Sequence, residues 1–346
     1  MGRSHGDTGR KRPPTLKEIA DLTGVHVSTV SRVLRQDTPP DGWSETALRV
    51  RRTAQELGYQ RNPWAASLRT RRTKVVGIVM PRLTDGVIAA MFGGVQEAAQ
   101  AAGYSVIMSS PDDTPEAMRE AAELMASRQV DGLIMSSVHR PGRDFVTSVA
   151  ALGAPTLLMS RHADTGLPAV TSDDRRGGAL AAEHLLGLGH RRFGVVAGPD
   201  HASTAHDRVV GFVEALHEAG IDDEDITVTP SAFEVDGGVD AATTLLAREP
   251  RPTAIFAVND TAAVGVLGVA RDHGLRIPED LSVVGFNDIP IVAQLPVPLT
   301  TIRADAHLMG ATAVQQLLRL VDDQPIDAVT LPVELVERAS SGPAPA

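Results

Sequence analysis

The 346-residue chain contains no cysteine. That excludes a disulfide framework and any thiolate metal site, and it fits a reducing compartment. Aromatic residues are scarce, at 3%. No apolar run approaches the roughly 20 residues of a membrane-spanning helix, so no membrane partner is expected. The opening residues, MGRSHGDTGRKRPP, are basic and lack the apolar stretch of a secretory signal, which makes the expected location cytoplasmic. Catalytic signatures are missing too: there is no G-x-S-x-G elbow, no phosphate-cradling Gly-Lys-Ser/Thr loop and no H-E-x-x-H pair. His184 with His190, and His201 with His206, have no carboxylate pattern beside them that argues for a metal. The chain is therefore expected not to be an enzyme, with no catalytic residue, metal ligand or cofactor assigned.

Charge is present in quantity but unevenly. Residues 1–74 carry 15 Lys/Arg against 7 Asp/Glu, whereas the remainder carries 18 against 36, so a basic head precedes an acidic body within a net charge of -10. A basic head suits a polyanion, because each neutralised phosphate releases a counterion; an acidic body avoids sticking to the same polymer.

Three short helices are legible in the head. Thr15-Leu16-Lys17-Glu18 is a capping box, in which hydroxyl and carboxylate each satisfy a free backbone N–H. An apolar stripe of Leu16, Ile19, Ala20 and Leu22 follows and stops at Gly24. A second helix runs from about Val27 to Leu34, and the chain breaks at Thr38-Pro39-Pro40-Asp41-Gly42. Ser44 caps a third helix through Leu57, ended by Gly58. Helix, tight glycine turn, helix and a supporting third helix make a helix-turn-helix domain over 15–61. Residues 62–73 form a hinge: Asn62 as N-cap and Pro63 at the first helical position encode a helix too short to stand alone.

Beyond Lys74 apolar strands alternate with amphipathic helices, the pattern of a parallel α/β sheet. The strand, helix, strand, helix, strand order occurs twice, once from VVGIVMP (Val75 to Pro81) and again from FGVVAGP (Phe193 to Pro199). Two similar lobes leave a cleft between them, and ligands of open parallel sheets sit beyond the carboxyl ends of the strands.

At GVHVSTVSRVL (Gly24 to Leu34), NPWAASLR (Asn62 to Arg69), AVNDTAAVG (Ala257 to Gly265) and SVVGFNDIP (Ser282 to Pro290) the chain resembles the lac repressor/galactose repressor family. The likeness runs in order from about Thr15 to Arg338, through LGHRRFGVVAGP (Leu188 to Pro199) and PLTTIR (Pro298 to Arg303). It implies a small all-α helix-turn-helix head plus an α/β two-lobed periplasmic-binding-protein-like (type I) domain with parallel sheets. The expected layout is a basic disordered tail at 1–14, the head, the hinge, a two-lobed effector-binding and dimerisation domain at 74–338, and a disordered tail at 339–346. Lobe 1 takes about 74–172 and 301–331, and lobe 2 about 173–300 and 332–338. The implied function is a sequence-specific transcriptional repressor whose operator affinity is controlled allosterically by a sugar or sugar derivative. A nucleobase or other metabolite is the alternative effector, and a solute-binding protein without DNA function the alternative class.

In a helix-turn-helix the start of the second helix meets base edges, here Val27, Ser28 and Arg32. Thr29 and Ser31 turn toward the sugar-phosphate backbone by helical geometry and by analogy with the family. Val27 offers a methyl surface to thymine, whereas Arg32 either takes guanine O6 and N7 together or clamps a phosphate. His26 stands where the family usually has a capping Ser; a neutral His caps less well, so a direct DNA contact is its other reading. Thr15, Asn62 and Ala65 complete the expected DNA-contacting set with Leu68, which by resemblance is the wedge that a dimer's paired hinge helices push into a central base step. Its rival role is packing on its own lobe. Ala66 occupies a position where relatives often have Arg.

The partners implied are double-stranded DNA with a near-palindromic operator, a small-molecule effector and a second copy of the chain. Effector contacts are expected from Arg208 and Phe233 by resemblance, and from Asn259 and Asn287 because both follow strands. Asp260, followed by Thr-Ala-Ala, reads as a helix N-cap, and Asp288 as a cap or an inter-lobe contact. Relatives commonly carry Asp at the positions of Asn287 and Ser160, and an aromatic near Asp85-Gly86-Val87. The pocket is therefore expected to be less acidic, able to donate as well as accept, and short of one aromatic wall.

Overall fold

The computed structural model describes residues 12, 14–34, 43–59, 72–140, 147–149, 151–163 and 166–345. The turn through Pro39, Pro40 and Gly42, the hinge residues Asn62, Trp64, Ala65, Ala66 and Leu68, and nearly all of the basic tail lie outside them. The chain divides into two compact units, Met1–Arg71 and Arg72–Ala346.

In the first unit, helix α1 (Leu16–Thr23) opens on the expected capping box: Glu18 N donates to the Thr15 hydroxyl at 3.3 Å and Thr15 N to the Glu18 carboxylate at 2.6 Å. It closes at Gly24, whose φ of 65° is the left-handed conformation that a residue without Cβ adopts freely. Helices α2 (Val27–Val33) and α3 (Glu45–Glu56) pack on it around Ile19, Ala20, Val30, Val33, Ala47, Val50 and Ala54. The Ser44 hydroxyl caps α3, as its position predicts. Leu22 is a correction, for it is 66% exposed. The stripe that starts at Leu16 and Ile19 continues one turn on at Thr23, which is buried because its hydroxyl donates to the Ile19 carbonyl at 2.6 Å.

The second unit holds two six-stranded sheets of matching order. The first comprises β1 (Val75–Val79), β2 (Ser105–Ser109), β3 (Gly132–Met135), β4 (Thr156–Met159), β5 (Ala169–Ser172) and β11 (Val329–Leu331), in the order 11-5-4-3-1-2. The second comprises β6 (Phe193–Val196), β7 (Ile226–Thr229), β8 (Ala254–Ala257), β9 (Ser282–Asn287), β10 (Thr300–Ala304) and β12 (Val333–Val336), in the order 12-10-9-8-6-7. All pairs are parallel except β10 with β12. The repeated strand pattern of the sequence is thus a repeated lobe. Strands such as β3, β4, β6 and β8 are buried throughout, as parallel strands covered on both faces must be.

The flanking helices are α4 (Gly86–Ala101), α5 (Pro115–Ser127), α6 (Asp174–Gly187), α7 (Ser203–Glu218), α8 (Val235–Leu246), α9 (Asp260–Asp272) and α10 (Ala306–Val321). Three helix pairs cross closely through glycines. A Cβ on Gly94 of α4 would overlap the His307 carbonyl and one on Gly310 of α10 the Met91 carbonyl; Gly178 with Gly211 and Gly238 with Gly265 repeat the device for α6–α7 and α8–α9.

Three boundaries differ from those read in the sequence. Strand β10 belongs to the second sheet, so the chain returns to the first lobe after Ala304 and not at 301. Lobe 1 then ends in β11, and the chain passes through Pro332 to β12 of lobe 2. The receptor also begins earlier than Lys74. Arg72 donates to the Val321 carbonyl at 2.8 Å and pairs with Asp322, and Thr73 is held by Asp131 at 2.6 Å. Finally, 339–345 is not a loose tail. Ser340 is fully buried and donates to the Val283 carbonyl at 2.6 Å, and Gly342 N donates to Ser282. Buried His190 completes this knot, with Nδ1 on Thr253 and Nε2 facing Ser282 and the Gly342 carbonyl. Burial lowers its pKa, in keeping with a structural histidine.

Candidate functional site

On the head, Val27, Ser28 and Arg32 of α2 are exposed, Thr29 and Ser31 half-buried, and Val30 and Val33 turned into the core. The face expected to meet base edges is therefore presented to solvent, and Thr15 is exposed at the start of α1. His26 caps α2 after all: its Nδ1 accepts from Ser28 N at 3.3 Å and lies 2.8 Å from the Ser28 hydroxyl. A ring nitrogen with a free lone pair does there what a serine oxygen usually does.

In the second unit a narrow cavity of about 40 Å³ lies between the lobes. Arg208, Phe233, Asn259 and Asn287, scattered over 80 positions of sequence, all line it. The positions beyond the strand ends supply half of the rest: Arg82 follows β1, Ser136 and Ser137 follow β3, and Ser160 and Arg161 follow β4. The strand-end rule that singles out Asn259 and Asn287 in lobe 2 finds Arg82, Ser136, Ser137 and Arg161 when applied to lobe 1, beside Ser160, whose place in the pocket the family resemblance implies. Thr204, in the first turn of α7, had no sequence signal.

Each side chain is held from behind. Arg208 donates from Nε to Asp174 and from Nη1 to the Val258 carbonyl, both at 2.7 Å, and its guanidinium lies 3.6 Å above the Phe286 ring. Burial pushes Asp174 up, while the charge and hydrogen bond of Arg208 oppose it. Asn259, not Asp260, is the N-cap of α9. Its Oδ1 accepts from Ala262 N at 3.0 Å and its Nδ2 donates to the Phe233 carbonyl at 2.7 Å, so both ends of the amide are committed to the protein. Asn259 thereby shapes the wall and positions Phe233. Asn287, at the end of β9 with φ 110°, faces the cavity.

Asp260 instead turns inward. It is fully buried, accepting from the Thr301 hydroxyl at 2.5 Å and from Ile289 N at 2.8 Å. Burial pushes its carboxyl up to about 7, against the opposing pull of those hydrogen bonds. Asp288 is neither cap nor inter-lobe contact; it pairs with Arg303 at 2.8 Å and Arg338 at 2.6 Å, all within lobe 2.

The cavity's electrostatics depend on three guanidiniums. Arg161 is 2% exposed and forms a two-pronged pair with Asp113 at 3.1 and 2.8 Å. Burial raises the Asp113 carboxyl, but the hydrogen bonds and charge of Arg161, with help from His139 and Arg82, carry it well below the usual carboxylate range. Arg82 lies 4.7 Å over the Phe233 ring and Arg161 5.9 Å, so this ring is already paired with cations and is no bare plate for a ligand. Arg82 Nε and the hydroxyls of Ser136 and Ser137 are buried without a hydrogen-bond partner among the described residues. Buried polar groups left open on a cavity wall point to a polar occupant. Among the lining residues Phe233 is the single aromatic, in keeping with the wall expected to be missing near Asp85, whose carboxylate caps α4.

A helix-turn-helix reader and a two-lobed receptor with a polar cavity, carried on one chain, define a DNA-binding regulator that answers to a small molecule. Comparison with known proteins agrees. Residues 15–62 match the profile of bacterial regulatory proteins, lacI family, and residues 182–341 that of a periplasmic binding protein-like domain. The HTH-type transcriptional repressor PurR of Photobacterium profundum is 30% identical over 313 residues, covering 90% of this chain and 92% of that protein. The ribose operon repressor of Haemophilus influenzae is 31% identical over 321 residues, covering 92% and 96%. The lac repressor dimer bound to operator and the anti-inducer ONPF superposes with a TM-score of 0.88 at 28% identity, over 96% of this chain and 100% of that one. A ribose-bound regulator from Enterococcus faecium gives 0.70 at 27% identity, over 78% and 99%. The chain belongs to the lacI family of bacterial regulatory proteins: it is a DNA-binding repressor regulated by an effector. No described helix is long and apolar enough to cross a membrane.

Proposed function

We propose that the cavity binds a sugar derivative carrying an acidic substituent, and that its occupancy sets the affinity of the head for a near-palindromic operator. The observation that carries this reading is the trio of open donors, Ser136 Oγ, Ser137 Oγ and Arg82 Nε, on a wall that also holds Arg161 and Arg208. Hydroxyls of a sugar satisfy serine hydroxyls in either direction, and an acidic group suits Arg82, whose nearest carboxylates stand off at 3.8 Å (Asp113) and 4.0 Å (Glu234). A nucleobase is the second reading, favoured by the likeness to PurR.

The chain acts in the cytoplasm as a homodimer, and as a regulator with no catalytic role. Val27, Ser28 and Arg32 read bases, Thr15, Thr29 and Ser31 hold the backbone, and two copies meet half-sites about one helical turn, roughly 34–36 Å, apart. His26 contributes by shaping the start of α2. The hinge residues Asn62, Ala65 and Leu68 join the minor groove, and ligand-driven movement of the lobes alters the spacing of the paired hinges. Linkage then requires DNA to change effector affinity by the same factor as effector changes DNA affinity.

Thermal-shift screening of neutral sugars, sugar phosphates, sugar acids and purines tests the effector, followed by operator titration with the best ligand. A shift with acidic sugars and none with purines supports the reading; stabilisation by purines alone overturns it.

A further inference from the structure

Behind the cavity the two lobes meet at a cluster of which the regulator's reading uses only Asp113, as the partner of Arg161. Asp113 lies in the loop between β2 and α5, anchored by the Thr114 N-cap of α5. His139 follows β3, and His201 follows β6 in the opposite lobe. Backbone contacts hold the two histidine loops side by side: His139 bridges Ala202, and Arg140 N donates to the His201 carbonyl at 3.0 Å. Their imidazoles stack with centroids 4.0 Å apart, and both Nε2 atoms face the one carboxylate, at 2.8 Å for His139 and 3.8 Å for His201. His201 Nε2 is buried with no hydrogen-bond partner among the described residues.

Such a nitrogen beside a carboxylate is an arrangement that a cation resolves. The three donor atoms lie within 4.8 Å of one another. Zinc-ligand distances of about 2.0–2.2 Å require donors roughly 3.3 Å apart, so a small inward movement and a splaying of the stacked rings would bring all three onto one ion. Arg161, hydrogen-bonded to Asp113, would then orient the ligating carboxylate from outside, as partners of metal-bound carboxylates do. We propose that Asp113 Oδ and the Nε2 atoms of His139 and His201 form a site for one divalent transition-metal ion of the zinc class, shared between the lobes. Three protein ligands leave the remaining position to water. Because the donors come from both lobes, the ion holds them together on this side of the cavity.

Nothing in the sequence next to His201 marks the site, because the carboxylate comes from Asp113 and the second imidazole from His139, 88 and 62 positions away.

The test uses the full-length protein after chelator dialysis, titrated with Co²⁺ while its visible d–d absorption is followed, with Zn²⁺ as competitor. The expected result is saturation at one Co²⁺ per chain, displacement by Zn²⁺, and affinity at least about 100-fold weaker in His139→Gln and in His201→Gln. Both variants should keep the metal-free thermal midpoint of the parent. On the unaltered protein, Zn²⁺ should also protect His139 and His201 from diethyl pyrocarbonate, as read by peptide mass spectrometry, which keeps the test independent of how the variants fold. Absence of saturable Co²⁺ absorption, full binding in either variant, or equal modification of both histidines with and without Zn²⁺ would overturn the site. In those cases the pair is a hydrogen-bonded contact between lobes. None of these outcomes depends on the identity of the effector.

Discussion

Asp260→Asn tests the electrostatics of the receptor core. The carboxyl is fully buried, with Oδ1 against the Thr301 hydroxyl and Oδ2 accepting from Ile289 N. Its pKa rises from 3.8 to about 7 because burial penalises the anion. A folded-state value above the unfolded one means that the native chain binds this proton more tightly. The resulting stability is fully present below about pH 4 and is lost as pH rises through about 7. The gap between 3.8 and about 7, at about 1.4 kcal/mol per pH unit, amounts to about 4 kcal/mol. Roughly 2 to 3 kcal/mol of that falls above pH 5. Asparagine reproduces the protonated acid, its oxygen accepting from Ile289 N and its amide donating to Thr301 Oγ1. Urea unfolding of parent and variant from pH 5 to 8.5 isolates the contribution, because every other titrating group cancels in the difference. The variant should gain on the parent steadily up to about pH 8 and then run level with it. Parallel profiles across that range would refute the reasoning, and so would a variant that loses ground as pH rises.

Ser136→Ala and Ser137→Ala should each weaken effector binding roughly tenfold, about 1.4 kcal/mol, by calorimetry, while leaving the ligand-free thermal midpoint unchanged or higher; a buried hydroxyl without a partner is a cost that alanine removes. Gly178→Ala drives a Cβ into the Arg208 carbonyl and the Phe212 amide, so denaturant titration should register a loss of about 1 to 3 kcal/mol, with effector affinity falling as Arg208 is displaced. An unchanged midpoint would mean that the α6–α7 crossing is looser than described. On the head, His26→Ala should cost about 1 kcal/mol of stability and His26→Ser almost none. Arg32→Ala should cost about 1 to 3 kcal/mol on the cognate operator alone if the side chain reads guanine, and equally on all duplexes if it clamps phosphate, as mobility-shift titrations against random competitor would distinguish.

Much of this regulator follows from local chemistry alone. Thr15 with Glu18, Gly24 and Ser44 delimit the head's helices through interactions that span four residues or fewer, and their signals survive in any context that lets a helix form. Two runs of alternating strand and helix signals likewise sufficed for two parallel-sheet lobes, because the period of apolar residues follows from backbone geometry. Proximity between segments distant in sequence was decided only by the fold. Asn259 and Asp260 are neighbours with similar capping ability, and which of them caps α9 depends on the Phe233 carbonyl, Thr301 and Ile289 being where they are. Ser340 and Gly342 read as part of a loose tail until Ser282, Val283 and His190 supply partners. Asp113, His139 and His201 come from two lobes and became a cluster when the sheets faced one another. Short-range order is set by dihedral preference and nearby hydrogen bonds, both written in consecutive residues, whereas a site assembled at strand ends depends on which strands lie side by side.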